Sequence, residues 1–268
     1  MVIPVWGTRY VESLPRAIAS VRAQDRDVEI IVVDNASEVE VHTTGDSVVV
    51  RSPRRLSAGQ ARNLGLERVA TECVVLLDAD DELADGALAA LRAGIGSDPE
   101  IAVYSMSLLE AGTGARHRQP RRFVVPLTQV GSLFALATAM WSLYPIQGNA
   151  IMRTRWVREA GGYADCSGGE DWVLAVSQAF RGRIVADPRP ALVYHAAPES
   201  LWRRSRGTRD LLAAAGQVRA RMRSDPSVPG WAHVALPLVA TVQTLLIVAV
   251  RPVYRGIRAT VAALSRRV

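Results

Sequence analysis

The stretch Cys73-Val74-Val75-Leu76-Leu77-Asp78-Ala79-Asp80-Asp81 carries the strongest structural signal in this chain. Its five leading apolar residues are typical of a strand that is buried on both faces of a sheet. The three carboxylates behind them cannot lie in a core, and open α/β sheets bind ligands at the carboxyl ends of their strands. Carboxylates this close repel one another unless they share a cation. A hard divalent ion such as Mg²⁺ or Mn²⁺ suits such oxygens and also holds phosphate. The stretch predicts a metal-assisted nucleotide site; the alternative is a solvated acidic turn before the next helix.

Strands and helices alternate along the first hundred residues. Apolar runs predict strands at residues 2–5, 28–33, 48–50 and 73–77. Three helices are predicted. The first begins after Ser13, its N-cap, with Pro15 in its first turn. The second covers residues 57–70, and the third covers residues 87–91 with Asp85 as its cap. This alternation predicts an α/β fold with a mostly parallel central sheet and helices on both faces. No Gly-x-Gly-x-x-Gly motif follows the first strand, which disfavours the dinucleotide-binding fold of dehydrogenases.

Composition limits the classes of protein to which the chain can belong. Its 268 residues are enough for one substantial core and an appended segment. The net charge is +6 and all 32 basic residues are arginines, which suits anionic partners. These arginines are not interleaved with aromatic residues and no nucleic-acid-binding motif is present, so nucleic acid is not an expected partner. Two cysteines provide no disulfide framework and favour a reducing, cytoplasmic setting; no signal peptide is expected.

Six motifs, in order along residues 1–200, resemble those of family 2 glycosyltransferases, which have the GT-A fold. The first three are Val2-Ile3-Pro4-Val5, Asp34-Asn35-Ala36-Ser37 and Ala61-Arg62-Asn63-Leu64-Gly65. The other three are Leu77-Asp78-Ala79-Asp80-Asp81, Gln147-Gly148-Asn149-Ala150, and Gly161-Gly162-Tyr163 with Gly169-Glu170-Asp171-Trp172. The resemblance implies a Rossmann-like GT-A domain over residues 1–205, with a nucleotide-sugar-binding half at 1–100 and an acceptor-binding half at 101–205.

The resemblance implies a donor site at the strand ends of the first half. Its donor-binding residues would be Pro4, Val5, Asp34, Arg62, Asp78, Ala79 and Asp80. Asp34 would accept a hydrogen bond from the imide N–H of uracil or thymine, and Asp78 would face the ribose. Asp80 would bind a divalent metal, Mn²⁺ or Mg²⁺, that bridges the diphosphate, and His195 would complete the metal site. By residue type alone, Asp34 equally fits an Asx turn, Arg62 an exposed helix position and His195 an ordinary strand end.

Asp171 is the candidate catalytic base. An inverting sugar transfer is a direct displacement at the anomeric carbon, and it needs a carboxylate that takes the proton from the attacking hydroxyl. Glu170 would support the acceptor or orient Asp171, and Asn149 and Trp172 are placed in the acceptor site. The alternatives are ordinary charge at a helix N-terminus for the two acids and plain packing for Trp172.

Two stretches bear on the acceptor. Residues 123–146 are apolar, and we expect a helix and loop that wall the acceptor pocket rather than a membrane span. Processive members of the family carry Gln-x-x-Arg-Trp after the base, whereas residues 201–207 read Leu-Trp-Arg-Arg-Ser-Arg-Gly, without a glutamine. This departure favours transfer of a single sugar. The arginines there either close over the diphosphate or form a solvated basic loop.

Residues 206–268 form a C-terminal segment that is expected to be helical. Residues 231–250 hold no charged side chain over a length close to that of a membrane span, although Pro237 and Gln243 weaken that interpretation. Behind Pro252, apolar residues share one helical face beside arginines, which is typical of an amphipathic helix on an anionic membrane. We expect a membrane-associating module at the cytoplasmic, inner face of the cell membrane. The alternatives are packing on the catalytic domain and dimerisation.

The sequence therefore predicts an inverting, metal-dependent glycosyltransferase that moves one sugar from a UDP- or dTDP-linked donor to an acceptor hydroxyl. The apolar segment favours a glycan or lipid-linked acceptor in cell-envelope synthesis. A nucleotidyltransferase also places acids at strand ends, but it needs a richer phosphate loop than Gly7-Thr8-Arg9. A non-catalytic nucleotide-sugar-binding module is disfavoured because the metal acids and Asp171 are all present.

Overall fold

The computed structural model describes residues 1–43, 45–112, 116–117, 124–144, 146–166, 168–195 and 207–250. Within these ranges the strands are β1 (Val2–Val5), β2 (Ile31–Asn35), β3 (Val48–Ser52), β4 (Cys73–Val74), β5 (Glu82–Leu83), β6 (Ile101–Glu110), β7 (Arg116–His117), β8 (Ala150–Arg153) and β9 (Arg183–Tyr194). The α-helices are α1 (Gly7–Arg22), α2 (Ala58–Leu66), α3 (Ala87–Ile95), α4 (Val124–Leu127), α5 (Ser132–Met140), α6 (Thr154–Glu159), α7 (Glu170–Arg181), α8 (Thr208–Ser224), α9 (Gly230–Val234) and α10 (Leu236–Leu245). A 3₁₀ turn (Thr128–Val130) links α4 to α5, and a π-helical turn (Leu246–Val250) follows α10.

Two sheets join to form the centre of the molecule. Strands β1, β2 and β3 are parallel and lie in that order, with Val2 paired to Ile31 and Ile31 paired to Val48. The second sheet has the order β4-β8-β6-β9-β5, with β7 on β6, and its pairs are antiparallel except β6 with β9. The Val2 N–H donates to the Val75 carbonyl and the Leu77 N–H donates to the Val2 carbonyl, both at 3.0 Å, so β1 connects the two sheets.

The predicted strand at residues 73–77 is divided between these sheets. Cys73 and Val74 pair with β8, whereas Leu76 forms an isolated parallel bridge with Val2. Residues 74–77 are all buried, as a strand covered on both faces requires. The acids behind Leu77 therefore leave the sheet at the edge where β1 and β2 end.

Helices cover both faces of the sheet, which confirms the predicted α/β class. On one face, α1 and α3 pack against Ile3 and Val32. On the other face, α2, α5, α6 and α7 pack with Val2, Ile31 and Val33. Successive residues of β1 and β2 thus enter opposite cores, as the two-residue period of a strand dictates.

The start of α1 differs from the prediction. The helix begins at Gly7, so Pro15 lies in its interior rather than in its first turn. Ser13 was wrongly predicted as the N-cap. Its hydroxyl instead donates to the carbonyls of Arg9 and Tyr10, each at 3.2 Å, in the back-bonding geometry of a serine inside a helix.

Helices α2 and α3 lie close to their predicted positions. Ser57 caps α2 in a reciprocal capping box with Gln60, and the helix ends at Leu66, earlier than predicted. The N-cap of α3 is Gly86, with φ of 70°, and not Asp85 as predicted. Glycine adopts this left-handed conformation without the steric cost that aspartate would meet.

The described part of the C-terminal segment packs on α7. Helices α8 and α10 contribute Val218, Met222 and Val239 to a core that also contains Trp172. One side of the segment thus packs on the catalytic domain, as one of the two alternatives to a membrane module expects. None of the helices in the described ranges combines the length and the apolar character that crossing a membrane requires. The amphipathic helix predicted behind Pro252 lies outside the described residues.

Candidate active site

Strand ends bring the first group of predicted residues to one edge of the sheet. Val5 pairs with Asp34 at the ends of β1 and β2, and Pro4 precedes Val5 in the same register. Asp78 and Ala79 follow the segment that bridges to β1. Because parallel strands present their carboxyl ends at a common edge, this is the place where an open α/β sheet binds a ligand.

Arg62 connects this edge to α7. One nitrogen of its guanidinium donates to Asp78 Oδ1 at 2.8 Å and another donates to Glu170 Oε1 at 2.6 Å. The arginine side chain is only 8% exposed. Burial alone would lower the pKa of Arg62, but the charges of Asp78 and Glu170 outweigh burial and raise that pKa above its ordinary value. Arg62 is therefore a buried, charged link between two acids and not an exposed helix residue.

Helix α2 also holds the loop that leads into α7. Asn63 donates to the Tyr163 carbonyl at 2.9 Å and accepts the Tyr163 N–H at 2.8 Å. Gln60 donates to Asp165 Oδ2 at 2.8 Å. Gly162 has φ of +65°, and a Cβ there would stand 2.4 Å from Asn63 Oδ1, so this approach requires glycine.

Asp34 is buried at the end of β2 and both of its carboxylate oxygens have partners. Oδ1 accepts the Ser37 N–H at 2.9 Å, and the Arg51 guanidinium binds Oδ2. Asp34 thus holds the turn after β2, although its bond reaches the N–H three residues on and not the one two residues on that defines an Asx turn. Each carboxylate oxygen can accept more than one hydrogen bond, so these two partners do not exclude an imide N–H, and the role of Asp34 in binding a nucleobase stays a prediction.

The next acids of the motif repel each other. Burial, followed by the charge of Asp78, raises the pKa of Asp80 to about 6. Burial, followed by the charges of Asp78 and Asp80, also raises the pKa of Asp81. A shared cation would relieve this repulsion. In the described ranges no three His, Cys, Asp or Glu side chains form a complete ligand cluster. A divalent ion at these acids would need further ligands besides the described side chains.

His195 lies beside these acids, but its ring has a partner. Its backbone N–H donates to Asp81 Oδ1 at 2.9 Å, and its ring Nε2 lies 2.6 Å from Glu82 Oε1. With Nε2 bonded to Glu82, the ring has Nδ1 left to bind a metal, and a carboxylate partner on the other nitrogen is usual for a ligating histidine. Its role as a metal ligand stays a prediction.

Two arginines of α1 lie beside these acids, although the sequence pattern gave no sign of them. Arg9 lies 3.4 Å from Asp80 Oδ2, and Arg16 donates to the Asp80 carbonyl at 2.8 Å and pairs with Glu82 at 3.1 Å. Residues seven apart lie on one helical face. That signal was hidden because α1 was predicted to begin behind Ser13, which excludes Arg9 from the helix.

Glu170 and Asp171 open α7. Burial, followed by the charge of Glu170, raises the pKa of Asp171 to about 6, while Arg62 opposes this rise. Asp171 Oδ1 accepts the Trp172 N–H at 2.8 Å. A carboxylate with a pKa this close to neutrality is suited to accept a proton from a hydroxyl.

The two predicted acceptor residues are both buried. Asn149 donates to the Met106 carbonyl at 2.7 Å and accepts the Gln147 N–H at 3.2 Å. The Trp172 indole donates to the Thr138 carbonyl at 2.6 Å, which ties α7 to α5. These contacts favour packing roles for Asn149 and Trp172, and their contact with an acceptor stays a prediction.

The apolar stretch at residues 123–146 forms α4, the 3₁₀ turn and α5 in its described part, which excludes positions 123 and 145. Phe134 is buried, whereas Leu127, Val130, Leu133 and Trp141 are exposed. The stretch thus leaves apolar side chains on the surface near α7. The arginines at residues 201–206 lie outside the described residues.

Solved structures share this fold, and the two that follow are among them. S. aureus TarS 1-349 in complex with UDP-GlcNAc is 14% identical with a TM-score of 0.67, and the alignment covers 92% of this chain and 71% of that chain. The mannosyltransferase PcManGT from Pyrobaculum calidifontis, in complex with GDP-Man and Mn²⁺, is 20% identical with a TM-score of 0.59 and coverages of 98% and 79%. At these identities the likeness shows the fold alone. A comparison with curated proteins finds no match.

A family model described as glycosyl transferase family 2 matches residues 1–161. The matched range includes the donor-side motifs and ends before Glu170 and Asp171. Since the model matches more than half of the chain, this protein belongs to glycosyl transferase family 2 and is a glycosyltransferase with the GT-A fold.

Proposed function

We propose that this glycosyltransferase moves a single sugar, with inversion at the anomeric carbon, from a UDP- or dTDP-linked donor to an acceptor hydroxyl. The observation that carries the proposal is the position of Arg62. Its guanidinium binds Asp78 at the strand edge and Glu170 beside Asp171, so a donor at the strand edge would lie near a candidate base.

Asp171 is the proposed catalytic base. Its carboxylate would accept the proton of the acceptor hydroxyl while the hydroxyl oxygen attacks the anomeric carbon. Glu170 would orient the acceptor or Asp171, and its bond to Arg62 fixes its own position. Because the pKa of Asp171 is raised to about 6, the base is ionised at neutral pH and still basic enough to take a proton.

Asp80 would hold Mg²⁺ or Mn²⁺, with His195 as a further candidate ligand, and Asp78 would face the ribose. When bound, such an ion supplies positive charge to the departing nucleoside diphosphate. Arg9 is partly exposed beside Asp80, so its guanidinium can also reach an anionic group there. Asp34, with Pro4, Val5 and Ala79 near it at the strand ends, would hold the nucleobase and ribose.

We also propose a glycan or lipid-linked acceptor in cell-envelope synthesis, with the enzyme at the cytoplasmic, inner face of the membrane. The exposed apolar residues of α4 and α5 support an acceptor of partly apolar character. A boundary near residues 205 and 206 would separate the GT-A domain from the C-terminal segment. Single-sugar transfer is supported by the missing glutamine at residues 201–207.

The test is thermal unfolding of the full chain with UDP, dTDP or GDP, each with and without Mn²⁺. A ligand that binds only the folded state raises the melting temperature. We expect a metal-dependent shift with UDP or dTDP that Asp80→Asn abolishes. Asp171→Asn should keep that shift but slow sugar transfer by about 10²- to 10⁴-fold, because it removes only the base.

Asp98→Asn is the matched control, since Asp98 is an exposed acid that pairs with Arg183 away from these acids. It should change neither the shift nor the rate. A shift with GDP alone would show that the nucleobase assignment is wrong. No shift with any nucleotide would refute the proposed donor site.

A further inference from the structure

The C-terminal segment carries an exposed apolar face on α9, α10 and the π-helical turn. We call this the tail face and define it by its exposed large side chains, which are Trp231, Val234, Leu238, Leu245, Val248 and Val250. Residues 231–250 contain no Asp, Glu or Arg. An exposed apolar surface of this kind marks a site of contact with a membrane or another protein.

The tail face is separate from the side of these helices that supports the fold. Leu236, Val239, Gln243 and Ile247 are buried and recur every three or four residues. Gln243 donates to the Ala139 carbonyl of α5 at 2.7 Å, which anchors α10 to the catalytic domain. The exposed residues on the opposite side therefore have no role in this packing, and their apolar character needs another explanation.

Positive charge borders the tail face. Arg219 of α8 donates to Gln243, so its guanidinium lies beside α10, and the charge of Arg223 acts on it. Within the described ranges, neither Arg219 nor Arg223 forms an ion pair with a carboxylate. The chain then continues into residues 251–268, which hold five arginines and no acid.

This distribution of charge helps to decide whether the tail face contacts a second copy of the chain or an anionic bilayer. A second copy of the chain would bring these arginines towards arginines of the same sign, with no acid in residues 231–268 to offset them. An anionic bilayer offers apolar tails to the apolar side chains and negative headgroups to the arginines. Trp231, at the beginning of the face, is of the residue type enriched at membrane interfaces.

We propose that the tail face docks on the surface of an anionic lipid bilayer, with α10 lying along the interface rather than across it. This inference rests on the proposed membrane location of the enzyme, but it does not depend on which sugar is transferred. Since α10 is anchored to α5, and α5 is tied to α7 through Trp172, docking would hold the acceptor half of the enzyme close to the headgroups.

The experiment is sedimentation of the full chain with vesicles of phosphatidylcholine alone, or of equal parts phosphatidylcholine and phosphatidylglycerol. We expect binding to the anionic vesicles that weakens with added salt, and less binding to the neutral ones. Leu238→Asp combined with Val248→Asp should reduce the fraction bound at least about tenfold, because it puts charge where apolar burial is needed.

Val48→Asp provides the matched control. Val48 lies on β3 and is 48% exposed, against 50% for Val248, so it tests the same substitution at equal exposure away from the tail face. Point variants are required because a deletion from Trp231 onward would remove Leu236, Val239 and Ile247 from the core. The control should bind vesicles as the unchanged chain does.

Three outcomes would overturn the inference. The unchanged chain could bind neither kind of vesicle. Alternatively, the tail-face variant could bind anionic vesicles as strongly as the Val48→Asp control does. The chain could also form a dimer that the tail-face variant dissociates, which would make this surface an interface between copies. If the unchanged chain binds anionic vesicles but shows no thermal shift with any nucleotide, the proposed donor site is refuted and the docking proposal is not.

Discussion

Arg62 is the side chain that gives the candidate site its electrostatic balance. Three acids, Asp78, Glu170 and Asp171, lie around it, and it is buried with two of them in direct contact. Removing one partner from such a group leaves uncompensated buried charge. Arg62 lowers the pKa of Asp171 against the opposing effects of burial and Glu170. This balance sets the lower end of the pH range in which the proposed base is ionised.

Arg62→Met should therefore move the acid limb of the pH profile of kcat/KM upward. A base is inactive when protonated, so the rate falls as the pH falls through the pKa of Asp171, which is about 6 in the unchanged protein. Without the guanidinium this pKa should rise by about one unit or more. The rate of nucleoside-diphosphate release, measured from pH 5 to 9, reports the shift.

Arg62→Lys is the control for that experiment, because it keeps the charge but cannot reach both acids with a planar guanidinium. In Arg62→Lys the acid limb of the kcat/KM profile should lie at a pH closer to that of the unchanged protein than it does in Arg62→Met. If Arg62→Met slows the reaction equally at every pH, the arginine positions Glu170 without setting the ionisation of Asp171.

Individual acids were easier to predict than their partners. The motif spacing placed Asp78, Asp80 and Asp171 correctly at strand and helix ends, because chain position alone determines those locations. The pairing of Arg62 with Glu170 depends on side-chain direction and joins residues more than a hundred positions apart, which a single sequence does not reveal. Ala36 illustrates the same limit. Its φ of 52° is unusual for alanine, and the sequence offered no sign that this turn is left-handed.

The start of α7 is the element on which the proposed base depends. Gly169 precedes Glu170, has φ of +82°, and would place a Cβ 2.7 Å from the Ala214 Cβ of α8. The C-terminal segment therefore touches the chain two residues before Asp171. Any side chain at position 169 must both strain the backbone and displace α8 or the start of α7.

Gly169→Ala should lower the free energy of unfolding by about 2 kcal/mol and the turnover rate at least about tenfold. Combining it with Ala214→Gly should restore part of the activity, because the double variant removes the contact but keeps the backbone strain. Denaturant unfolding and nucleoside-diphosphate release measure the two effects.

Gly112→Ala separates strain from contact, since Gly112 also has φ of +82° but a Cβ there meets no atom of the described residues within 4 Å. This substitution should lower the free energy of unfolding by about 1 kcal/mol and leave the turnover rate unchanged. Equal turnover in Gly169→Ala and Gly112→Ala would show that contact with α8 does not position Asp171.

Elements were predicted best where local pattern and burial agreed. Strands β1, β2 and β3 and helix α2 were found near their predicted places, because apolar runs and the Ser57 cap are local signals. The start of α1 was missed since a proline suggested a first turn. The division of residues 73–77 between two sheets depends on which strands lie on either side, and this is a property of the tertiary fold. The packing of α8 and α10 on α7 was weighed only as an alternative, because apolar residues look the same whether they face a core or a membrane.

The molecule as a whole is joined by a buried ion pair between α7 and the C-terminal segment. Arg181 at the end of α7 binds Asp225, which follows α8, and donates to the Ser227 hydroxyl at 3.0 Å and the Glu159 carbonyl at 2.9 Å. Both charged side chains are less than 10% exposed. Burial alone would raise the pKa of Asp225, but its hydrogen bonds with Arg181 and Ser227 outweigh burial and lower it. The pair therefore stabilises the fold above the ordinary pKa of aspartate, and this contribution is lost as the pH falls through the depressed pKa.

Asp225→Ala should reduce the free energy of unfolding by about 3–5 kcal/mol at neutral pH, because Arg181 would remain buried without a counter-charge. The exposed pair Asp98–Arg183 provides the control, and Asp98→Ala should cost at most about 1 kcal/mol. The C-terminal segment shares its core with α5 and α7, so the loss at Asp225 should lower the stability of the entire chain in one transition. Hydrogen exchange would then show amides of α8 and of β1 destabilised by equal amounts. If α8 alone loses protection, the C-terminal segment folds independently, and its contacts with α7 do not support the proposed base.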